Sequence, residues 1–429
     1  MTAKDEIEST LRTEGLAPTG EAVAHGEAPG RRAVLIRGAA PDELVRVRFD
    51  PRKVPARGRL LEVVSAGRDR VEPACPYTRE CGGCDWMHLT RDAQRLAHLE
   101  HVREATGVEA AFHPAAEDLR WRIRARLHVD ARGGRVRVGF FGPRSHEPAE
   151  VDTCVVLEER IDAARGRVAP LLAGARGEGE AMLALGRSGK PVLMLRWSRE
   201  LPPEVFGRVD AGVRDGHWDG VRLQCGEARR PADFGDPAPR VEGADGAPLT
   251  LAPGGFSQAH AEVNGALARR VAEQIPEGAR VVELYAGAGN LSVLLARRAG
   301  QLTAVESSED AAQAARDNLA ARGLAARVSC ADAARFEIPP STNVVVLDPP
   351  RTGAREACER LAHRGASRGA GGQARVRHII YVSCDLATLR RDLGILGEWR
   401  VEGADAFEMF PHTSHVETVV RLERRRGKE

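Results

Sequence analysis

Apolar and polar positions alternate with a period of two in the first part of the chain. Ala33-Val34-Leu35-Ile36 and Leu44-Val45-Arg46-Val47-Arg48-Phe49 read as short strands between turns marked by Gly and Pro, which predicts a small β-barrel over residues 1–64. Residues 65–250 are mixed. A helix is expected over 90–105, with Arg91, Arg95 and Glu100 polar and Leu96, Leu99 and Val102 on the apolar side. Strands are expected over 121–130, 135–141, 191–197 and 219–225, with a helix over 158–174. Gly177-Glu178-Gly179 and the stretch 234–239 read as loops. From 251 onward strand and helix alternate. Helices at 258–274, 290–299, 308–322, 354–362 and 386–395 are interleaved with strands at 280–284, 302–306, 326–330, 344–348, 378–382 and 417–422. That alternation predicts a doubly wound α/β domain over 251–429. The Gly/Arg-rich stretch 364–376 interrupts it and reads as a surface loop, with RNA contact as the other reading.

Composition narrows this little. A chain of 429 residues suits two or three domains, and 42% hydrophobic with 29% charged residues is ordinary for a globular protein. The formal net charge is only +2, so any affinity for nucleic acid must come from local arginine clusters. Two such clusters stand out: Arg31, Arg32, Arg37, Arg46, Arg48, Arg52, Arg57 and Arg59 on the first unit, and Arg122, Arg124, Arg126, Arg132, Arg135 and Arg137 on the second. The first unit holds one aromatic residue, Phe49, so phosphate contact outweighs base stacking there. The N-terminus lacks the apolar core of a signal peptide, and no run of about 18 apolar residues occurs. A cytoplasmic monomer without membrane association is expected.

The candidate chemistry lies in the α/β part. Glu283-Leu284-Tyr285-Ala286-Gly287-Ala288-Gly289-Asn290 joins the first strand to a helix, and Glu306 ends the next strand, where a carboxylate meets ribose hydroxyls. Asp332 lies just past the third strand, where a pocket meets an adenine. A dinucleotide site favours a third glycine near 292, and this chain has Ser292 there. The shorter loop suits S-adenosylmethionine better, while a purely structural turn remains the plain reading. Asp348-Pro349-Pro350-Arg351 ends the fourth strand and Ser383-Cys384-Asp385 the fifth, both on the side where α/β sheets bind ligands. A helix starting near Leu386 would aim its N-terminus at Cys384 and favour thiolate. Glu417, in Phe410-Pro411-His412-Thr413-Ser414-His415-Val416-Glu417, is the candidate base. Thiolate addition at carbon 6 of a uracil would make carbon 5 nucleophilic toward a sulfonium methyl, and a carboxylate would then remove the carbon-5 proton.

Cys75, Cys81, Cys84 and Cys154 are a second constellation, three of them in a C-x5-C-x2-C run. Eight cysteines in a chain of this size do not make a disulfide scaffold, so four grouped thiols point to metal. Spacing alone leaves zinc and an iron–sulfur cluster level. Cys225, Cys330 and Cys358 read as core or incidental.

At Gly255-Phe256-Ser257-Gln258, the 283–290 loop, Val305-Glu306, Asp348-Pro349-Pro350-Arg351, Ser383-Cys384-Asp385 and His415-Val416-Glu417-Thr418 the chain resembles the RNA uracil-5 methyltransferases. The similarity is to the branch that modifies 23S ribosomal RNA and carries an iron–sulfur cluster, and it spans nearly the whole chain. It implies a class I, Rossmann-like methyltransferase domain over 251–429, a central domain over 65–250 with a [4Fe–4S] cluster on Cys75, Cys81, Cys84 and Cys154, and a TRAM-like RNA-binding barrel over 1–64. It implies S-adenosylmethionine held by Gln258, Tyr285, Asn290, Glu306, Asp332 and Asp348, with Cys384 as nucleophile and Glu417 as base. It also implies that Phe256 stacks on an extruded base and that the product is 5-methyluridine. The family usually has Pro, a favoured first residue of a helix, two residues after the nucleophile, and this chain has Leu386 there, which bears on rate more than on reaction type. The same chemistry on tRNA, a DNA cytosine-5 methyltransferase and a non-catalytic RNA-binding protein are the competing readings. The DNA enzyme would carry its cysteine in the loop after the fourth strand, where none occurs before Cys358.

Overall fold

The computed structural model describes residues 6–25, 32–226, 230–363 and 376–424. Arg31 and the Gly/Arg-rich stretch up to Arg375 lie outside the described residues.

The chain opens with a closed barrel of β1 (Ile7–Leu16), β2 (Ala22–His25), β3 (Ala33–Ile36), β4 (Leu44–Phe49) and β5 (Ala56–Ser65), in the order β1-β2-β3-β5-β4. The alternation in β4 explains the closure. Val45, Val47 and Phe49 enter the core with Leu11, Ala24 and Ile36, while Arg46 and Arg48 face outward. The cysteine loop follows and runs into α1 (Arg91–Thr106). Thr90 caps that helix through Ala93 N, and Gly107 closes it in the left-handed region at φ 78. The apolar face expected for α1 needs correction. Leu96 is exposed, whereas Gln94, His98 and His101 are buried with Ala93, Ala97 and Val102. The reason is that this face serves polar backbone groups of other segments.

After α1 comes β6 (Ala110–His113). A central sheet is then built from β7 (Ala125–Asp130), β8 (Arg137–Phe141), β9 (Pro148–Ala149), α2 (Glu159–Leu171), β10 (Glu178–Leu185), β11 (Pro191–Trp197), α3 (Pro203–Arg214), β12 (Gly220–Cys225) and β13 (Ala232–Gly235). Its strand order is β13-β12-β11-β10-β7-β8-β9, with α2 and α3 packed on it around Leu127, Ile161, Leu193 and Trp218. The two expected loops are partly strand here: Gly177 and residues 236–239 stay outside any strand. Glu178-Gly179 begins β10, where a Cβ on Gly179 would stand 2.1 Å from the Arg196 carbonyl, so the glycine serves close strand packing. Phe234 lies in β13.

A hairpin of β14 (Arg240–Glu242) and β15 (Pro248–Thr250) precedes the last unit. That unit contains α4 (Ala261–Glu273), β16 (Arg280–Leu284), α5 (Ser292–Arg298), β17 (Gln301–Glu306), α6 (Glu309–Ala320), β18 (Arg327–Cys330), β19 (Val344–Leu347), α7 (Arg355–His363), β20 (His378–Ser383), α8 (Leu386–Ile395), β21 (Trp399–Phe407) and β22 (Glu417–Arg424). The sheet order is β18-β17-β16-β19-β20-β22-β21-β6. Strands β16 to β20 run parallel and β22 runs antiparallel to both neighbours, the doubly wound arrangement of a class I methyltransferase. Strand order reverses between β16 and β19, which opens a crevice at their C-terminal ends. The edge strand β6 comes from before the central sheet in sequence, and α1 packs against α8 and β21. The segment 91–113 therefore joins the large sheet rather than the central one.

Candidate active site

The crevice at the C-terminal ends of β16, β19 and β20 collects most of the expected residues. Asp348 follows β19, Cys384 follows β20, and Glu417 starts β22 beside it. The pairing Ser383↔Thr418 fixes their register, and Phe407↔Glu417 fixes it from the other side. Glu417 is fully buried and Cys384 partly so. Asp385 caps α8 by accepting from Thr388 N at 2.8 Å, and Leu386 is the first helical residue. This cap starts the helix without proline.

The electrostatics correct one expectation. The helix does not keep Cys384 as thiolate. Burial and the charge of Glu417 push the thiol up to about 12, with Asp348 adding to the rise and Arg351 opposing it. Glu417 is raised to about 8 by burial and then by Asp348, again opposed by Arg351. Burial lifts Asp348 to about 7. Three acidic groups thus share one crevice, and Arg351 is the cation that opposes the rise of both Cys384 and Glu417. Its guanidinium lies 3.5 Å from Nε2 of His415, whose pKa is lowered by burial and by Arg351 itself. The role of Arg351 was not read from sequence, although Asp348-Pro349-Pro350-Arg351 marked its place.

The glycine loop is next to this group. Tyr285 adopts φ 66, unusual for a residue with a side chain, and turns the chain out of β16. Asp332 is exposed, accepts from Ala334 N at 2.9 Å, and is one of the charges that help hold the Tyr285 hydroxyl up near 12, after burial. Glu306 accepts from Gly287 N at 2.9 Å and Ser308 N at 2.8 Å, so its carboxylate already bridges the two loops a nucleoside would span. Asn290 is paired amide to amide with Asn264 on α4, at 2.8 and 3.2 Å. Asn264 carried no sequence signal. Gln258 precedes α4, which begins three residues later than its expected start, and is partly buried beside Ser257. Glu283, seen in sequence only as part of the loop, is fully buried. Burial raises it to about 8 against a 2.5 Å hydrogen bond from Ser292 Oγ. Glu306, Asp332 and Asp348 thus end or follow β17, β18 and β19, and Glu417 begins β22.

Phe256 is exposed to 69%, and the Arg124 guanidinium lies over its ring at 4.7 Å. An exposed aromatic held by a cation can stack on a flat ligand. Most of the other clustered arginines have carboxylate partners: Arg46 with Glu62, Arg57 with Glu21, Arg126 with Glu180, Arg132 and Arg137 with Asp130, and Arg135 with Glu150. Their charge is partly spent inside the protein.

Cys75, Cys81, Cys84 and Cys154 are free and come together from the loop before α1 and the loop before α2. Burial raises the Cys84 thiol strongly, and the neighbouring Cys154, Cys81 and Cys75 raise it further. Gly83 N donates to Cys81 Sγ at 3.4 Å, and a Cβ on Gly82 would stand 2.8 Å from the Phe141 carbonyl. Among the described residues, no group of three or more His, Cys, Asp or Glu side chains is placed to hold a metal ion as the side chains stand. Of the remaining cysteines, Cys358 is buried in the core, Cys225 half-buried and Cys330 exposed. Among the described residues, no helix is long and apolar enough to cross a membrane.

Residues 247–368 match the family described as "Methyltransferase small domain", and residues 325–425 match "tRNA (Uracil-5-)-methyltransferase". The chain is 32% identical to a 23S rRNA (uracil(1939)-C(5))-methyltransferase of Alkalilimnicola ehrlichii, over 96% of this chain and 95% of the relative. It is 33% identical to the protein of the same name from Chromohalobacter salexigens, over 98% and 90%. The crystal structure of a tRNA (uracil-54, C5)-methyltransferase of Pyrococcus abyssi, in complex with S-adenosyl-L-homocysteine, superposes with a TM-score of 0.72. It covers 97% of this chain and all of its own at 20% identity, which speaks for the shared fold. Given full-length kinship above 30% identity and a crevice of this composition, the chain belongs to the RNA uracil-5 methyltransferase family.

Proposed function

We propose that this protein methylates carbon 5 of a uridine in 23S ribosomal RNA, using S-adenosylmethionine as donor and Cys384 as covalent nucleophile. One observation carries the reading: Cys384, Asp348, Glu417 and Arg351 meet at the crevice of a methyltransferase sheet, electrostatically coupled to one another. The full-length relatives named for 23S rRNA support the RNA.

In this reading Gln258, Tyr285, Asn290, Glu306, Asp332 and Asp348 line the donor site, with Glu306 on the ribose hydroxyls. The Cys384 thiol gives up its proton to solvent, and its sulfur bonds to uracil carbon 6. Carbon 5 then bonds the methyl group as the methyl–sulfonium bond breaks. Glu417 takes the proton from carbon 5, the carbon–sulfur bond breaks, and the thiolate leaves. A thiol held near 12 is a poor starting nucleophile. The positive charge of Arg351, joined by that of the donor, favours the ionised forms of Cys384 and Glu417 once the crevice fills. Phe256 and Arg124 form the platform on which the extruded base rests. The barrel, residues 1–64, serves as an RNA-binding unit, residues 65–250 as the cluster-bearing unit, and residues 251–429 as the catalytic unit. An rRNA substrate implies action in the cytoplasm, and we assign a monomer.

We assign Cys75, Cys81, Cys84 and Cys154 to a [4Fe–4S] cluster. The four thiols are free, Cys84 feels the charge of the other three, and a peptide N–H is aimed at one sulfur, which supports such a group although the side chains as they stand are not gathered around one centre. When bound, it supplies a cross-link between the two loops that carry the thiols.

The test is incubation with 5-fluorouridine RNA and S-adenosylmethionine. Fluorine at carbon 5 cannot leave as a proton, so a working enzyme is trapped as a covalent RNA adduct. Adduct with the wild type and none with Cys384→Ala is expected, and a wild type that forms none defeats the reading.

A further inference from the structure

The segment 408–416, between β21 and β22, has no regular hydrogen-bond ladder, yet it delivers Glu417 to the crevice. Its backbone is held instead by residues far away in sequence. Trp86 N donates to the His412 carbonyl at 3.0 Å. Gln94 Oε1 accepts from His412 N at 3.0 Å, while Gln94 Nε2 donates to the carbonyls of Trp86 and Leu89. His98 Nε2 donates to the Thr413 carbonyl at 3.1 Å, and burial holds that imidazole neutral by lowering its pKa to about 3. His412 itself adopts φ 67, a conformation that its surroundings must enforce.

A further clamp close to Glu417 is Asp85. Its Oδ1 accepts from Ser414 N at 2.9 Å and its Oδ2 from Ser414 Oγ at 2.7 Å. Asp85 directly follows Cys84. On its other side lies the barrel turn at Gly20, at φ 92, where a Cβ would stand 2.0 Å from Asp85 Oδ2. The Trp86 indole donates to the Gly20 carbonyl at 3.0 Å, which fixes that turn to the same loop. Asp85 is thus wedged between the barrel, the cysteine loop and the strand that presents Glu417.

We propose that Asp85 is a positioning residue for the general base: its paired hydrogen bonds to Ser414 set the entry into β22 and so aim Glu417 at carbon 5. This rests on Glu417 being the base. Cys384 is placed independently, by β20 and the Asp385 cap of α8. Losing the Asp85 clamp therefore spares thiol addition and methyl transfer and slows proton removal. The consequence is specific: methylated RNA stays bonded to Cys384. It also gives the cysteine loop a task, since the loop's shape fixes where Asp85 stands.

The experiment uses the full chain, an RNA fragment with ordinary uridine and methyl-labelled S-adenosylmethionine. It scores released product against denaturant-resistant enzyme–RNA adduct. For Asp85→Ala, turnover falls about 10- to 100-fold and adduct accumulates, as with Glu417→Gln, because a displacement of about 1 Å is enough to misalign proton transfer. Asp85→Asn restores release, since its amide oxygen accepts from Ser414 N and its NH2 donates to Ser414 Oγ. Ser414→Ala, which keeps the backbone bond and spares the wedge, shows a smaller accumulation and serves if Asp85→Ala does not fold. Unchanged turnover, or loss of turnover without adduct in both variants, overturns the proposal. A wild type that forms no adduct with 5-fluorouridine RNA instead overturns the reading of Cys384 and Glu417 beneath it.

Discussion

Ser383 faces Thr418 across antiparallel strands, and this one pairing brings Cys384 and Glu417 to the same end of the sheet. The two residues are far apart in sequence, but the carboxylate's charge reaches the thiol and raises it. The consequences can be measured.

Nucleophile and base should fail differently. Cys384→Ala should abolish methylation and adduct alike, with a loss of about 10³-fold or more. Glu417→Gln should abolish release while leaving adduct formation. Gel mobility of enzyme incubated with RNA and labelled donor separates the two outcomes.

Activity should rise with pH. Glu417, held at about 8, and Cys384, held near 12, both act only when ionised, so kcat/KM should climb through neutrality and go on rising above pH 8. Arg351→Gln removes the cation that holds both Glu417 and Cys384 down, and should move the profile to higher pH. A pH–rate profile of the two proteins checks this.

Stability should run the other way. Glu283 is held at about 8, above its ordinary 4.5, because burial penalises its charge. The folded chain binds that proton more tightly than the unfolded chain. The resulting stability is fully present below about pH 4.5 and lost as pH rises through 8. Glu283→Gln should shrink the loss of stability between pH 6 and 9 by about 2–4 kcal/mol, read from denaturant unfolding at the two pH values.

Asp392 should be a structural hub. It is fully buried on α8, where it accepts from Ala354 N and the Tyr381 hydroxyl, each at 2.7 Å, and from Arg391 Nε at 2.8 Å. These bonds hold the loop after Asp348-Pro349-Pro350-Arg351. Asp392→Ala should cost about 3–5 kcal/mol, since three polar groups lose their partner, and equilibrium unfolding measures it.

The cysteine loop should hold iron. Replacing Cys84, whose neighbours are the other three thiols, with Ser should lower the iron and sulfide bound per chain and depress Tm. Wild-type protein purified without oxygen that carries zinc and no iron would contradict the cluster.

Much of the molecule was legible in its residue order. The alternation of β4 and the β/α rhythm after residue 251 announced the barrel and the doubly wound domain, because burial of one face imposes a period on the chain. The glycine loop, Asp348, Cys384 and the four grouped cysteines were found because their chemistry is carried by residue type and short spacing. Other features depend on contacts that no local pattern encodes. Leu96 looked like core and is exposed, while Gln94 and His98 are buried because they serve the carbonyls and amides of 412–413. β6 leaves the central region to pair with β21. The helix at Cys384 suggested thiolate, but burial and Glu417 outweigh a helix terminus. Asp85 could not be read at all, since its partner Ser414 lies 329 residues away. The sequence by itself determined the elements and the reactive groups, because periodicity and side-chain chemistry are local. Only the tertiary structure decided protonation, strand neighbours and the clamps on Glu417, because solvent exclusion and Coulomb interaction act through space.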